Sequence, residues 1–461
     1  MTTPTPTKPA DPLALLRTRR YVALLVLAAI LGVPIAALAY FFLKLVDVLQ
    51  TAVFTQLPSG LGFHGEPLWW PLLPLALAGL LVGLTIRYLP GKGGHSPADG
   101  FQARGTITPD QIPGVFLAAL ATLALGAVLG PEAPLIALGG GLAVLAVHFS
   151  RRDMPAQTLA VVGAAGSFAA IATLFGSPLP AAFLLMEAAG LGGAMLDLIL
   201  LPGLLAAGIG ALIFVGLDAW TGFGTFSLAI PNLPPYSHPD LAQFGWALVI
   251  APAAAVIGTV IRRLALAVRP HTERRLVALT PLAGLAVAGL AIAFAAGTGK
   301  SSSEVLFSGQ SALGPLISSA ASYSVGALLL LVACKGLAYS VSLSSFRGGP
   351  VFPAMFLGAA GGAAMSHLPG LPLIPAVAMG IGAMTVTMLR LPLTSVLLAT
   401  LLLASDGLAV TPLVIVAVVI AYVITARISP SADKAQADKP APAPAPTEPT
   451  PTPGPAAPTG T

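Results

Sequence analysis

Long apolar stretches, separated by short polar breaks rich in glycine and proline, run along most of this chain. Several of them are shorter than the about 20 helical residues that cross a bilayer ~30 Å thick. Helices that are interrupted or steeply tilted inside a membrane give this pattern. It predicts an all-α polytopic membrane protein with broken and re-entrant helices. The apolar stretches cover residues 21–43, 69–89, 113–147, 155–187, 191–217, 243–261, 276–297, 323–345, 351–366, 371–389, 391–404 and 408–426.

The polar segments divide the chain into five predicted regions. These are a basic cytoplasmic N-terminus (1–20), a first membrane half (21–218), a connecting loop (219–242), a second membrane half (243–428) and a Pro/Ala/Thr-rich tail (429–461). The tail has little apolar surface to bury, so it is predicted to be disordered. The arginines before the first stretch predict cytoplasmic termini for a multi-pass protein of the cell membrane. A signal peptide is the alternative there, but the apolar stretch is long for one.

Composition strengthens the membrane prediction. Hydrophobic residues make up 56% of the 461 residues and charged residues only 8%, whereas soluble domains carry about 25% charged residues. The net charge of +5 comes from 22 Lys and Arg against 17 Asp and Glu. So small a surplus suits loops near anionic lipid and argues against a nucleic-acid partner. The single cysteine, Cys334, has no partner for an internal disulfide, and no metal motif or cofactor is predicted.

Two short segments repeat in the same order in both halves. Residues 130–139 read GPEAPLIALG and residues 349–358 read GPVFPAMFLG, with glycines, prolines and a leucine at matching offsets. A second pair follows, SPLPAAFLLME from Ser177 and LPLTSVLLATL from Leu391. Chance similarity between low-complexity segments is the alternative. Two ordered pairs favour a transporter built from two halves with helix breaks at matching places.

Each break has the chemistry of an anion site. Proline suits the first turn of a helix, and the helix start presents free N–H groups and the positive end of its dipole. Inside a membrane such a start needs an acceptor, which a small anion supplies. Two starts could converge on one ion, with Lys92 and Arg347 attracting anions from the flanks. The predicted anion-binding residues are Gly130, Pro131, Ala133, Gly349, Pro350, Val351 and Phe352, together with Gly94 and Ser96 in the polar segment GKGGHSPADG.

Glu132 lies inside the first break, and Val351 takes the matching place in the second. An ionised carboxylate there could occupy the anion's position and swing away when protonated, which predicts a gate and a proton carrier. A buried acid that pairs with a distant arginine or caps amides is the alternative. Glu187, at the end of FLLME, could relay protons, pair with a cation or serve a subunit interface, and a structural role is favoured for it.

These motifs resemble those of the CLC family of chloride channels and proton-coupled chloride exchangers, over roughly residues 18–428. LGPEAPLIALGGG looks like the family's glutamate-gate motif with Glu132 at the gate, GGPVFP like its second-half anion motif, and GGHSP like its serine motif. The resemblance implies a CLC-like fold of two inverted-topology halves. It also implies a homodimer with one pore per subunit and the backbone of Pro350 and Val351 near the ion.

The chain departs from the family pattern at several places. Gly94 stands where the family has its anion-coordinating serine, and Val351 stands in place of a phenylalanine. Ala188 occupies the place of the exchangers' inner glutamate, with Glu187 one position before it. The C-terminal helix with the anion-coordinating tyrosine is not recognised after Ile428, and no regulatory nucleotide-binding domain is expected.

The sequence therefore predicts transmembrane transport of a small anion, chloride first, through a pore gated by Glu132. One alternative is a proton-coupled antiporter of chloride or fluoride. A remote alternative is an intramembrane enzyme that uses Glu132 and Glu187 as acid and base. The predicted partners are chloride or a similar anion, protons, the lipid bilayer and a second copy of the chain.

Overall fold

The structure is a computed structural model that describes residues 17–103, 106–150, 155–190, 194–222, 228–230, 233, 236, 238–403 and 407–429. The predicted polar N-terminus before residue 17, most of the tail and parts of the connecting loop lie outside the described residues. Within them the chain is helical, and its one β-type pairing is a single bridge between Gly130 and Gly349. The predicted all-α fold is confirmed.

In its described residues, the first half contains seven principal helices. The first, α1, continues through a π-helical turn (Ala52–Gln56) into Leu57–Gly60. The helices are α1 (Arg19–Thr51), α2 (Leu72–Tyr88), α3 (Ile112–Ala124), α4 (Glu132–Ser150), α5 (Ala156–Phe175), α6 (Pro178–Ala189) and α7 (Ala194–Thr221).

Over 238–403 and 407–429, the second half contains eight α-helices. They are α8 (Leu241–Arg274), α9 (Leu276–Thr298), α10 (Gln310–Ser318), α11 (Val325–Ser345), α12 (Val351–Met365), α13 (Leu373–Leu389), α14 (Pro392–Leu402) and α15 (Gly407–Ile428).

Helix lengths divide these elements into two groups. In the described part of the chain, eight helices are long and apolar enough to cross a membrane: α1, α4, α5, α7, α8, α9, α11 and α15. The shorter apolar helices α2, α6, α12, α13 and α14 have between 11 and 17 residues. A helix of that length cannot span the hydrocarbon core without tilting or pairing with another segment. This explains why counting hydropathy segments gives no simple number of crossings.

Two of the apolar stretches are each divided into two helices. The stretch 113–147 becomes α3 and α4, which are joined by the non-helical residues 125–131. The stretch 155–187 becomes α5 and α6, because Gly176 adopts a left-handed conformation (φ 63°) that ends α5. Pro178 then occupies the first position of α6, where a proline costs no hydrogen bond.

The core of the second half lies around α12 and α13. Every residue of α13 after Leu373 is buried, and this helix packs against α12, α8 and α15. The axes of α12 and α13 approach closely at Gly358 and Gly380, where a Cβ on either residue would overlap the other's carbonyl. Small residues permit such contacts in membrane proteins. This close packing fixes the start of α12, which carries the second repeat motif.

Candidate anion site at two paired helix starts

The two repeat motifs meet in the interior of the molecule. The Gly130 N–H donates to the Gly349 carbonyl over 2.7 Å, and the Gly349 N–H donates to the Gly130 carbonyl over 2.6 Å. This antiparallel bridge lies directly before the starts of α4 and α12. The breaks that sequence analysis matched are therefore in direct contact.

Glu132, the first residue of α4, reaches across this bridge to the other helix start. Its side chain is fully buried, and Oε1 accepts a hydrogen bond of 2.9 Å from the Phe352 N–H in the first turn of α12. Oε2 has no hydrogen-bond partner among the residues that the structure describes. A carboxylate at a helix start occupies the position that such a terminus offers to a small anion.

Glycine on both strands of the bridge makes room for this carboxylate. A Cβ on Gly349 would overlap Glu132 Oε2, and a Cβ on Gly130 would overlap both carboxylate oxygens. Pro131 and Pro350, the residues that follow, have no N–H to satisfy. The N–H groups of the glycines are used by the bridge itself. In this conformation Phe352 thus supplies the observed amide donor among the predicted anion-binding residues.

Helix α11 supports the two breaks from one side. The Tyr339 hydroxyl is buried and donates to the Pro350 carbonyl over 2.7 Å. Ser342, three residues further along α11, accepts from the Val128 N–H over 3.1 Å. These contacts hold the segments before α4 and α12 to one rigid element, because each satisfies a buried polar group that water does not reach.

Two cavities approach the bridge. One, of about 250 Å³, is lined by Leu129 and Pro131 directly before Glu132, and by polar groups that include Asp47 and Gln50. The other, of about 50 Å³, is lined by Ala133 directly after Glu132 and by the other residues Pro134, Gly348, Gly94, His95 and Arg347. Glu132 therefore stands in the wall between them.

Arg347 is the cation of the smaller cavity. Its side chain is mostly buried, and its guanidinium donates to the carbonyls of Lys92 (3.3 Å) and Phe346 (3.1 Å). Gly94 lies on the same cavity with a φ of 94°, a conformation in which a side chain would be strained. Ser96 is also buried, but it does not line either cavity, and its hydroxyl has no partner within the described ranges.

Comparison with known proteins identifies this arrangement. The model of the voltage gated chloride channel family matches residues 78–426. The chain belongs to the CLC family. The resemblance noted from the motifs is thereby confirmed, and the protein is a multi-pass membrane protein of CLC-type anion transport rather than an enzyme.

Individual relatives and solved structures agree with this assignment. The putative ion-transport protein YfeO of Salmonella schwarzengrund is 30% identical over 365 residues, which are 77% of this chain and 84% of that protein. A slow cyanobacterial Cl⁻/H⁺ antiporter superposes with a TM-score of 0.73 at 17% identity, over 90% of this chain and 98% of that one. A CLC-type fluoride/proton antiporter superposes with a TM-score of 0.64 at 22% identity, over 88% and 95%.

Glu187 has different surroundings from the CLC gate candidate. Its Oε1 accepts from the Leu393 N–H (3.0 Å), and its Oε2 accepts from the Thr394 N–H (2.8 Å) and the Thr394 hydroxyl (2.7 Å). The acid of α6 thus caps the start of α14, its partner in the second repeat pair. The predicted role as a proton relay stays a prediction.

Sequence analysis did not single out two polar residues of α11. One is Tyr339, which donates to the Pro350 carbonyl. Lys335, one turn earlier, is fully buried, and its Nζ lies 2.9–3.4 Å from four successive carbonyls, those of residues 304–307. A lysine within an apolar helix is itself a signal of a functional or structural site. The spacing of four places Lys335 and Tyr339 on one face of α11.

Glu304 is the acid nearest to this lysine along the chain. It lies outside the membrane-spanning helices and is half-buried. Burial raises the pKa of its carboxyl above the ordinary value, whereas a hydrogen bond from Tyr323 and the charges of Lys300 and Lys335 oppose that rise. Experiments on this carboxylate therefore belong at about pH 8, well above the ordinary glutamate pKa.

Proposed function

We propose that this protein transports a small anion, chloride first, along a path that Glu132 opens and closes. The observation that carries the proposal is the hydrogen bond from the Phe352 N–H to the Glu132 carboxylate. An ion that takes this amide must displace the carboxylate, because both need the same donor and the glycine-lined space beside it. Backbone amides hold an ion by partial charge, weakly enough for it to leave again.

The two cavities supply the approaches to this position. Arg347 makes the smaller cavity attractive to anions, and the backbone of Gly94 lies beside it. A volume of about 50 Å³ is enough for a few water molecules, each of which needs about 10–15 Å³. Water there would take the place of the serine and tyrosine hydroxyls that coordinate the ion elsewhere in the family.

Protonation provides the means of opening. A protonated carboxyl has lost the charge that holds it at the start of α12, so an anion competes for the Phe352 amide more successfully. Anion flux is expected to rise as pH falls. Flux rises with acid because protonation neutralises the Glu132 carboxylate and leaves the charge of a halide unchanged.

Proton-coupled antiport is the second candidate. Glu132 is fully buried in the wall between two cavities, as a carrier that faces each side in turn would be, whereas an open pore needs no such wall. The similar structures include antiporters that exchange protons for chloride or for fluoride. The usual inner proton carrier is missing from this candidate. Ala188 stands where exchangers have a glutamate, and the oxygens of Glu187 accept hydrogen bonds from α14.

One experiment separates these mechanisms. The purified protein is placed in liposomes, and chloride and proton fluxes are recorded together at pH 7.5 and pH 5. An exchanger moves protons uphill when a chloride gradient is imposed, and a gated pore moves chloride alone. Parallel fluoride and chloride gradients identify the preferred ion. Absence of anion flux at both pH values would contradict the proposal.

We further propose a homodimer with both termini in the cytoplasm. Leu179 on α6 and Leu393 on α14 are exposed although they lie on adjacent apolar helices, which suits a partner surface. Helix α13 is enclosed by its own chain, so within 371–403 the contact surface would come from α14. Light scattering with the detergent contribution subtracted is expected to give twice the chain mass.

A further inference from the structure

Among the described residues, Lys335 is a fully buried ionisable side chain that the proposed gate does not use, and burying such a group costs free energy. It is fully buried in α11, a helix long enough to span the membrane. Within the described residues, no carboxylate oxygen lies within 4.0 Å of its Nζ. A buried charge without an ionic partner is expensive, so it persists where its field or its contacts are needed.

The contacts of Lys335 satisfy hydrogen bonds but do not cancel its charge. Nζ is held by the carbonyls of residues 304–307, and it lies 4.4 Å from the centre of the Phe356 ring. Carbonyl dipoles and an aromatic face stabilise the protonated amine and bring no opposite net charge to it. The field of that charge extends into the low-dielectric surroundings of α12.

The hairpin of α11 and α12 brings this charge near the anion site. Tyr339 and Pro350 form one contact across the hairpin, and Lys335 and Phe356 form another, further from the connection. Phe356 follows the Phe352 amide by four residues, which is about 6 Å along a helix. Lys335 Nζ therefore lies on the order of 10 Å from the position that Glu132 occupies.

We propose that Lys335 is a positioning charge that raises the affinity of the Phe352 site for anions. This rests on the proposed function of that site. At about 10 Å and an effective dielectric constant of about 20, one unit charge changes the affinity for a monovalent anion on the order of tenfold. The lysine thus supplies attraction from a distance and leaves the ion in contact only with neutral amides.

A purely structural role makes a different prediction. Lys335 also fixes the segment 304–307, whose Phe307 N–H donates to the Gly126 carbonyl and whose Phe307 side chain lines the larger cavity. If only these hydrogen bonds mattered, a neutral donor would serve as well as a charged one. Charge and hydrogen bonding can therefore be separated by Lys335→Gln, which keeps donors, and Lys335→Arg, which keeps the charge.

The test uses the full chain in detergent with Glu132→Ala as the parent, so that the carboxylate does not compete for the site. Chloride binding is measured by titration calorimetry at pH 6, which favours the charged form of an amine, and at pH 8, with isethionate as the replacement anion. Lys335→Gln is expected to weaken chloride binding on the order of tenfold, and Lys335→Arg to stay within about twofold of the parent. Equal affinities in all three proteins, or equal losses in both lysine variants, would overturn the proposal.

Glu304→Gln removes a negative charge near the site, whereas Lys335→Gln removes a positive one. Its result does not depend on whether Lys335→Gln folds. Removing this half-buried acid leaves Lys335 less compensated, so chloride binding is expected to tighten about twofold, a small effect because a partly exposed charge is partly screened. Unchanged or weaker binding would overturn the proposal. If the Glu132→Ala parent binds no chloride, the proposed site itself fails, and that outcome is distinct from a site that binds chloride but ignores residues 304 and 335.

Discussion

Glu132 and Glu187 are both first-half acids that reach the start of a second-half helix, yet they differ in how they are held. Glu132 makes one hydrogen bond, to the Phe352 N–H, and its second oxygen has no partner in the described part of the chain. Glu187 accepts three hydrogen bonds at the start of α14, and both of its oxygens are used. The acids in the first members of the two repeat pairs thus have different hydrogen-bond surroundings.

A capping carboxylate and a gating carboxylate differ in how many hydrogen bonds they lose when they move. A carboxylate with every oxygen satisfied loses several charge-assisted hydrogen bonds when it moves. A buried carboxylate with an orphan oxygen has less to lose and more to gain from protonation. The glycines beside Glu132 add the space that an ion would need. We therefore expect Glu132 to exchange with an ion and Glu187 to stay in place.

The largest expected effect follows from removing the two charges one at a time. Glu132→Gln should abolish the dependence of chloride flux on pH and raise flux at neutral pH by tenfold or so, about 1.4 kcal/mol. Glu187→Gln should keep the pH profile of the natural chain. Liposome chloride efflux between pH 4.5 and 8 measures both. If Glu187→Gln instead removes proton movement, Glu187 is a proton relay, and the contrast between a gating Glu132 and a capping Glu187 is wrong.

A second way to disturb Glu132 leaves its charge in place. Gly349→Ala places a methyl group where Oε2 lies, so the carboxylate must leave the Phe352 amide. Chloride flux at neutral pH is expected to increase severalfold and to lose most of its response to acid.

Gly361→Ala is the matched control, since Gly361 lies in α12, the helix that Gly349 precedes, and nothing lies within 4 Å of the added Cβ. This variant should keep the flux of the natural chain and gain about 0.5–1 kcal/mol of stability. Equal flux in both glycine variants would show that the position of the carboxylate does not control the path.

The smallest expected effect concerns the cap on α14. Glu187→Ala removes three hydrogen bonds from a helix start and should lower the free energy of unfolding by about 1–2 kcal/mol, as loss of a helix cap does. The pH response of flux should remain. Thermal unfolding in detergent measures the change, and Thr394→Val, which removes one of the three bonds, should show a smaller loss. A stable Glu187→Ala variant would argue against the capping role.

Much of the fold and part of the site could be predicted from the sequence. The two matched helix breaks follow from local chemistry, because the Gly-Pro pairs at 130–131 and 349–350 directly precede the starts of α4 and α12. Glu132 was identifiable because an acid in an apolar segment is rare. These are short-range signals, and they carried the family assignment as well.

The remaining features depend on contacts between distant segments. The bridge between Gly130 and Gly349 joins residues far apart in the chain, and neither local sequence encodes the partner. Both Val351 and Phe352 were predicted to bind the anion, but only the packing of the two helix starts decides that the Phe352 N–H is the donor to Glu132. Lys335 and Tyr339 acquire their meaning only when α11 packs against α12, although a lysine in an apolar stretch was a signal that deserved a place among the candidates.

The central claim is that an anion and the Glu132 carboxylate compete for one amide. Bromide scatters anomalously, so crystals of the natural chain and of Glu132→Gln grown in bromide test it directly. Our account predicts bromide within hydrogen-bond distance of the Phe352 N–H in Glu132→Gln, and the carboxylate alone at that amide in the natural chain at neutral pH. Bromide absent from this amide in Glu132→Gln, or present there beside an undisplaced Glu132, would contradict it.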